Sequence, residues 1–320
     1  MGIGTSTAKL AASHRSAGVR SAGKSTSPVA RLPIALLAVL GLSGCTLATD
    51  TSPYVFVDSP CPRPAQPCTG GRTLWFVSAT GDIARQTGNV IPGFNLDGTS
   101  DPVCGHADVV SPTGTPGIDN ALAPLLAGVE GSQPKTWDQI ELDGILEGRS
   151  LQIVEVEHVD DLGSDDCIGV QLRHAFVPPG EDVATYLDAN MDRVLDSDLV
   201  LDYGSSSARD DRACIIDGVL HADMGDAPTS IPSSTNPVEV TTTALNVRAE
   251  ISETALTNGW EGGGLSLADI VRVLDLADDS PLVSVLESAA DLYPGPDGRC
   301  SHLSIALVFD SIPFVPGAYR

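Results

Sequence analysis

The sequence predicts an α+β fold that is dominated by antiparallel β-strands in a sandwich-like arrangement, with a few short helices. Stretches of alternating, β-branched residues favour it, as do the polar turns between them and a set of cysteines suited to stapling such a body. Residues 72–320 are predicted to form a single globular domain, since their length is within reach of one domain.

Strands are predicted where apolar and polar residues alternate. Leu151–Val159 and Ile168–Phe176 are joined by the acidic turn 160–166, which predicts a hairpin. In Val238–Ile251 the apolar residues change face partway along, and this predicts a β-bulge or a switch of the buried face. Further strands are predicted at Thr73–Ala79, Ala213–Leu220 and Leu303–Phe309.

Helices are predicted from capping signals and apolar spacing. Residues 136–139 resemble a capping box and predict a helix that ends near Leu146. Ser266 and Ser280 each begin a further helix, and the short link between the two helices predicts a C-terminal helix pair. Another helix is predicted over residues 120–129, with Pro124 in its first turn.

The first 44 residues have the features of an export signal. Residues 1–31 carry five basic and no acidic side chains, and residues 32–42 form an apolar run. That run is shorter than the roughly 20 residues that a transmembrane helix needs. Leu-Ser-Gly-Cys at residues 42–45 is typical of a bacterial lipobox, so we expect cleavage before Cys45 and acylation of its thiol. An ordinary secretory signal with a chance cysteine is the alternative.

Lipidation at Cys45 would tether the protein to a membrane of the bacterial envelope. Residues 45–71 are rich in Pro, Thr and Ser, which predicts a tether between the lipid and the folded body. Thr46 follows the cysteine, where an Asp would favour retention at the inner membrane, so we expect the outer membrane. The membrane partner is then reached through the lipid anchor.

The charge of the chain excludes one class of partner. It carries 42 acidic and 18 basic residues, a formal net charge of −24. Removal of residues 1–44, which hold five basic and no acidic side chains, takes this charge to −29. Such a surface repels phosphate backbones, so no nucleic-acid partner is expected, whereas divalent cations are attracted.

The cysteine count predicts disulfides. Once Cys45 is acylated, six of the seven cysteines remain, and an even number outside the cytoplasm predicts three disulfides. Fifteen pairings are open, of which the sequence favours only a local bond between Cys61 and Cys68. No CxxC motif supports a zinc ribbon or a redox site. The candidates are Cys61, Cys68, Cys104, Cys167, Cys214 and Cys300.

Calcium is the one cofactor that the sequence suggests. Two acidic stretches, 95–101 and 188–198, place oxygen ligands at intervals typical of calcium loops, and Asp108 follows the first stretch. In the second, Arg193 and Leu199 stand where such a loop needs Gly and Glu. Solvated acidic turns are the alternative. The candidate ligands are Asn95, Asp97, Asp101, Asp188, Asn190, Asp192 and Asp196.

No catalytic residue is predicted. Three His-x-Asp pairs begin at His106, His158 and His221, and on a strand each pair would share one face, as a metal or acid–base site requires. Surface histidines are the alternative for each pair. GxSxG and HExxH are absent. The glycines 262–264 lack the pattern of a phosphate-binding loop and are interpreted as a loop before Ser266.

Several short motifs resemble a group of uncharacterised lipoproteins typical of myxobacteria. Together they span most of residues 90–315. The resemblance implies an envelope location and a shared fold, and it implies no activity, substrate or catalytic residue. The motifs are Gly93–Gly98, Cys104–Asp108, Ser111–Gly114, Pro116–Asn120, Asn258–Gly259, Gly262–Ser266 and Ala290–Leu292 with the segment through Cys300.

These observations favour a non-enzymatic, lipid-anchored protein of the cell envelope, which works as a binding or structural surface module and is stabilised by calcium. One alternative is a secreted metal-dependent hydrolase that uses the His-x-Asp pairs. Another is a carrier of lipid or a small ligand, with strands that wrap an apolar cavity. The protein or ligand partner is unknown from the sequence.

Overall fold

A computed structural model describes residues 60–62, 68–131, 135–177, 202–231, 237–277 and 279–314. Cys45 lies outside the described residues, and so do four of the predicted calcium ligands, namely Asp188, Asn190, Asp192 and Asp196. None of the helices described has the length and apolar character needed to cross a membrane.

Strands make up most of the described chain, and helices occur in two short groups. The strands are β1 (Arg72–Ile83), β2 (Val109–Val110), β3 (Pro116–Ile118), β4 (Leu151–Val159), β5 (Ser164–Phe176), β6 (Asp202–Ile216), β7 (Val219–Ile231), β8 (Val238–Ile251), β9 (Leu256–Ser266), β10 (Leu292–Pro294) and β11 (Cys300–Pro313). The helices are α1 (Leu126–Glu130), α2 (Trp137–Leu146), α3 (Leu267–Val273) and α4 (Pro281–Ala289).

Eight of these strands form a closed antiparallel barrel. Their order is β1, β4, β5, β6, β7, β8, β9 and β11, and β11 pairs again with β1 from Phe76↔Pro313 to Ile83↔Leu307. β10 is added outside the ring at β11, and β2 pairs with β3 in a separate two-stranded sheet. The prediction of a β-dominated, antiparallel fold is confirmed.

The predicted sandwich-like arrangement is wrong, because the main sheet closes on itself. A strand that faces the inside of a barrel alternates apolar and polar residues as a sandwich strand does. The alternation therefore reveals that one face of each strand is buried and leaves open how the sheet ends. Pairing of β1 with β11 decides between the two architectures, and the two strands lie at opposite ends of the described chain.

Two apolar clusters fill the barrel. The first contains the inward-facing residues of all eight strands at one end, including Phe76, Val156, Leu220 and Phe309. In the second, inward-facing residues such as Leu265 and other apolar residues of β1, β8 and β11 pack with those of the helices. The helices thus cover the other end of the barrel. Their buried contributions are Leu126, Val129, Trp137, Ile270, Val273 and Leu286.

Residues 213–220 form a hairpin rather than the single predicted strand. β6 ends at Ile216 and β7 begins at Val219, and Ile216 pairs with Val219 across the turn. The two turn residues, Asp217 and Gly218, have φ angles of 51° and 78°. Positive φ at both positions is the geometry of a type I′ turn, for which Asp-Gly is a favoured pair.

The predicted bulge in Val238–Ile251 is confirmed. The register of β8 against β9 shifts between Thr243 and Asn246, and Ala244 has a φ of 53°. The extra residue turns the buried face from the even-numbered to the odd-numbered positions, so Thr242 and Leu245 both face inward.

The interpretation of Gly262–Gly264 as a loop is wrong, since all three residues lie within β9. Their missing side chains allow neighbours to approach closely. A Cβ atom on Gly262 would lie 2.7 Å from the Phe94 ring, and one on Gly263 would lie 2.4 Å from Thr242 Cγ2. Gly262 and Gly263 face opposite sides of the strand. Phe94 can therefore approach the outer face of the barrel wall closely at this point, and Thr242 can approach its inner face.

The helix starts follow their capping signals. Thr136 N–H donates to Gln139 Oε1 at 3.1 Å, as the predicted capping box requires. The Ser266 hydroxyl accepts from Asp269 N–H at 3.1 Å and begins α3, and Ser280 caps α4 in the same way. The helix predicted over residues 120–129 begins instead as a 3-10 turn, Ala123–Leu125, and continues as α1.

Three disulfides join segments that are distant in sequence: Cys61–Cys214, Cys68–Cys167 and Cys104–Cys300. The prediction of three bonds is confirmed, and the local pairing of Cys61 with Cys68 is wrong. β5, which carries Cys167, and β6, which carries Cys214, lie beside the segment that precedes β1. Cys68 and Cys61 therefore bond to these two strands and not to each other. Disulfides persist in oxidising compartments, and the domain therefore belongs outside the cytoplasm.

We expect Gly263→Ala to lower the free energy of unfolding by about 1–3 kcal/mol, because its methyl group would overlap Thr242 and the backbone of β8. Gly128→Ala in α1 is the matched control. A Cβ atom there meets no atom within 4 Å, so the change should raise stability by up to about 1 kcal/mol. Chemical denaturation of both variants measures the difference, and equal midpoints would contradict the close approach at Gly263.

Candidate functional site

Three carboxylates converge beside the barrel. Asp97, Asp108 and Asp119 each present an oxygen, and these oxygens all lie within 4.8 Å of one another. Asp97 and Asp108 belong to the long connection between β1 and β2, and Asp119 directly follows β3. We call these three residues the carboxylate cluster.

Backbone hydrogen bonds fold the connection around Asp119. Its Oδ2 accepts from Leu96 N–H at 2.6 Å and from Asp97 N–H at 3.2 Å, and its own N–H donates to the Phe94 carbonyl at 2.8 Å. The disulfide from Cys104 ties the same connection to the start of β11. These hydrogen bonds and this disulfide hold the three carboxylates close together against their electrostatic repulsion.

Burial makes this cluster electrostatically costly. It raises the pKa of Asp119 to about 8 and that of Asp108 to about 6, and the negative charge of Asp97 adds to both effects. Burial also raises the pKa of Asp97. Asp97 Oδ2 and Asp108 Oδ2 are shielded from solvent and accept no hydrogen bond among the described residues. A divalent cation would neutralise this repulsion and supply the missing partner.

Of the predicted calcium ligands that the structure describes, one belongs to the carboxylate cluster and two do not. Asp97 belongs to the cluster, whereas Asp101 is exposed and stands outside it. Asn95 uses its side-chain oxygen to accept from Gly98 N–H at 2.7 Å. The sequence reasoning missed Asp119 as a ligand, because 22 residues separate it from Asp97 and only the fold brings the two together.

The three His-x-Asp histidines occupy separate surroundings. His158 Nδ1 lies 3.0 Å from the Gly70 carbonyl oxygen. His106 lies near Asp291, whose pKa is raised by burial, and His221 lies in a groove on the outer wall of the barrel. None of the three belongs to the carboxylate cluster, which is the one group in the described chain where three such ligands could share an ion.

A second candidate site is a cavity of about 90 Å³ inside the barrel, between the two apolar clusters. Its wall is mainly apolar, with Leu245, Ile305 and Phe309 among the lining residues. α2 contributes Trp137 and Glu141 from the covered end. For comparison, an engineered apolar cavity of about 150 Å³ accepts benzene, so this one suits a smaller molecule.

Glu261 is a buried charged residue that lines this cavity, which is also lined by Glu141 and Arg173. It faces inward from β9, opposite Leu307 of β11 and Val247 of β8, and is 8% exposed. Gln152 Nε2 donates to Glu261 Oε2 at 2.5 Å. Burial raises the pKa of Glu261, and the hydrogen bond from Gln152 offsets part of this effect.

His174 adds a second polar group to the cavity. It lies directly across from Gln152 in the pairing of β4 with β5. Its Nε2 is shielded from solvent and has no hydrogen-bond partner among the described residues, and burial lowers the pKa of the ring. The cavity therefore combines an apolar wall with a carboxyl group and a neutral imidazole, an arrangement typical of small-molecule sites.

Sequence reasoning missed Glu261 and His174 for different reasons. Glu261 lies in β9, whose Gly-rich stretch has weak strand character, so its inward direction was not visible. His174 lies in a predicted strand, but its place inside a barrel depends on closure of the sheet. A charged residue flanked by Gly and Trp within a strand was the available signal.

Comparison with known proteins does not assign this chain to a family. No family model, no curated protein and no solved structure matches this chain. The function must therefore be argued from the carboxylate cluster and the cavity themselves.

Proposed function

We propose that this protein is a lipid-anchored binding protein of the bacterial cell envelope, and that the barrel cavity holds a small organic amine against Glu261. This joins the predicted surface module with the alternative of a small-ligand carrier. The buried carboxyl group of Glu261, which has a neutral amide and no cation as its partner in the described chain, carries the proposal, because a buried carboxylate is stable as an ion only when it is paired.

The chemistry of the cavity favours an amine. An ammonium group would pair with Glu261 and restore its ionised form, while a short apolar body would contact Leu245 and Phe309. His174 offers a further hydrogen bond from its unpartnered nitrogen. The acidic surface of the chain also attracts cations.

The proposed address rests on the N-terminal segment. A basic region, a short apolar run and Leu-Ser-Gly-Cys at residues 42–45 support acylation at Cys45, and the disulfides are consistent with export. Thr46 supports the outer membrane as the destination, and the resemblance to myxobacterial lipoproteins supports a location in the cell envelope. Residues 45–71 would then hold the barrel away from the lipid surface.

Propylamine should bind the purified mature protein, and Glu261→Gln should weaken that binding at least tenfold, which corresponds to about 1.4 kcal/mol. Glutamine keeps the shape and one hydrogen bond of the glutamate and removes its charge. Isothermal titration with propylamine and propionate measures the preference for a cation.

Glu250→Gln is the control for this experiment, because Glu250 is exposed on β8 and outside the cavity. It should leave propylamine binding unchanged. Propionate that binds as tightly as propylamine, or equal affinity in the Glu261→Gln variant, would contradict the proposal.

Radiolabelled palmitate should enter the wild-type protein and be absent from Cys45→Ser. The wild-type protein should then sediment with membranes and the variant should not, since the barrel has no other proposed anchor. Failure of the wild-type protein to incorporate the label would overturn the anchor and leave the cavity experiment unaffected.

A second role, calcium binding at the carboxylate cluster, is favoured by the two shielded oxygens of Asp97 and Asp108 that accept no hydrogen bond in the described chain. Calcium prefers several oxygen ligands, and carboxylates from two loops meet this need. The ion would stabilise the connection between β1 and β2 rather than take part in chemistry. Asp119, the most buried of the three, would be shared between the ion and the backbone.

Calcium should raise the melting temperature of the protein. At a free calcium concentration of about 100 times Kd, the free energy of unfolding should increase by about 2.7 kcal/mol, and the increase should be larger at pH 8 than at pH 6. The folded pKa of Asp119, about 8, lies above its ordinary value of 3.8. Stability without calcium therefore falls as the pH rises toward 8, because the folded state must release a proton that the unfolded state has already lost. Calcium offsets that loss.

Asp119→Asn should abolish the calcium effect, measured by thermal unfolding in calcium and in EDTA. Asp279→Asn, which removes an exposed carboxylate elsewhere, should retain it. An equal melting temperature of the wild-type protein in calcium and EDTA at pH 8 would refute calcium binding.

A further inference from the structure

A groove of about 390 Å³ lies on the outer wall of the barrel and is separate from the cavity inside it. One side is formed by the outward faces of β7, β8 and β9, and the other by residues 93–98 and 111–118 of the connection that carries the carboxylate cluster. Its volume lies within the range of about 300–1,000 Å³ that is usual for small-molecule sites.

Three side chains form a row across the strands at the base of this groove. His221 pairs with Arg248, and Arg248 pairs with Trp260, so the three side chains point to the same side of the sheet. The guanidinium carbon of Arg248 lies 5.0 Å from the centre of the Trp260 ring. This cation–π contact holds the guanidinium in place without using its hydrogen-bond donors.

Arg248 stands apart from the other basic residues of the described chain. Among those residues, only Arg212, Arg248 and Arg299 have no carboxylate within ion-pair distance, and Arg212 and Arg299 are exposed. Arg248 is half-buried. A chain with 42 acidic and 18 basic residues could readily supply a partner, so the guanidinium is left available to an anion from outside. The basic residues that do pair are Arg72, Arg85, Lys135, Arg149, Arg173, Arg209 and Arg272.

The remainder of the groove is lined by polar groups and by apolar residues such as Phe94 and Ile118. Thr113 and Thr115 lie on the side of the connection with Asn95, and Asn246 lies on β8. Asp223 also lines it, with Oδ1 accepting from Gly225 N–H at 3.1 Å. These groups suit a ligand with several hydroxyls, since carboxylate and amide oxygens accept hydroxyl hydrogens.

His221 contributes no charge at neutral pH. Burial lowers its pKa to about 4, and the neighbouring positive charge of Arg248 adds to the effect. The groove therefore presents the positive charge of Arg248 and the carboxylate of Asp223. An acid group of a ligand suits Arg248, and a hydroxyl group suits Asp223.

We propose that this groove binds a sugar acid, with its carboxylate on the Arg248 guanidinium and its hydroxyls on Asn95, Thr113 and Asp223. The guanidinium fork can pair with both oxygens of a carboxylate. The same chemistry is offered by a free monosaccharide acid and by one residue of an acidic polysaccharide. The site is independent of Glu261 and of any amine in the barrel.

Isothermal titration of the mature protein with glucuronate tests this site. We expect glucuronate to bind, glucose to bind at least tenfold more weakly, and Arg248→Gln to lose at least tenfold in affinity for glucuronate. Arg248→Lys keeps the positive charge but loses the two-pronged guanidinium group, so its affinity for glucuronate should lie between those of the wild-type protein and Arg248→Gln. Arg299→Gln, an exposed arginine outside the groove, and Glu261→Gln should both match the wild-type protein.

A polygalacturonate oligomer distinguishes the two sources of the ligand. Tighter binding of the oligomer than of the monomer, lost in Arg248→Gln, supports a polysaccharide, and equal affinity supports the free acid. The proposal is overturned when no acid binds, when glucose matches glucuronate, or when folded Arg248→Gln, verified by its circular dichroism, binds glucuronate as the wild-type protein does.

Discussion

Hydrogen bonds between β1 and β11 join the first and last strands of the barrel wall. Every strand of the wall then has two neighbours, and the sheet has no exposed edge along which other chains could pair. Closure also creates an inside. Residues such as Phe76 and Val247, which would cover one face of an open sheet, instead meet across a common interior. The cavity and the burial of Glu261 both follow from this one pairing.

Polar groups in the interior are concentrated between the two apolar clusters. Ser78, Gln152, Thr242 and Glu261 lie at this level, below the residues that the helices cover. Part of this polarity is satisfied internally, since Thr229 and Thr242 share a hydrogen bond of 2.6 Å and the Ser78 hydroxyl accepts from Gln152 N–H. Within the described part of the chain, the Glu261 side chain has one such bond, from Gln152. Glu261 therefore has fewer hydrogen bonds than its carboxyl group can form, and a bound ligand could supply the others.

The same principle distinguishes three places in a strongly acidic chain. In most of the described body, carboxylates accept from backbone N–H groups or pair with arginines, as Glu157 does with Arg209 at 2.5 Å. Three places in the described chain differ. In the carboxylate cluster, one oxygen each of Asp97 and Asp108 is buried and accepts no hydrogen bond. Glu261 has a neutral amide as its partner, and Arg248 has no carboxylate within ion-pair distance.

Local patterns predicted much of the barrel wall. β4 and β8 have the bounds that alternation predicts, because a strand with one buried face records its period in the sequence. The capping signals at Thr136 and Ser266 worked for a similar reason, since the hydrogen bonds of a helix start join residues three apart. β9 escaped prediction. Its glycines serve the close approach of Phe94 and Thr242, and no local rule reveals that need.

The residues alone determined that this chain is strongly acidic, rich in antiparallel strands and able to form three disulfides. These properties depend on composition and on short-range order. Tertiary structure alone decided that the sheet closes, that Cys61 and Cys68 bond to β6 and β5 rather than to each other, and that Asp97 meets Asp119. Each of these contacts joins residues whose separation in sequence carries no information about their distance in space, so only the packing of the whole chain could specify them.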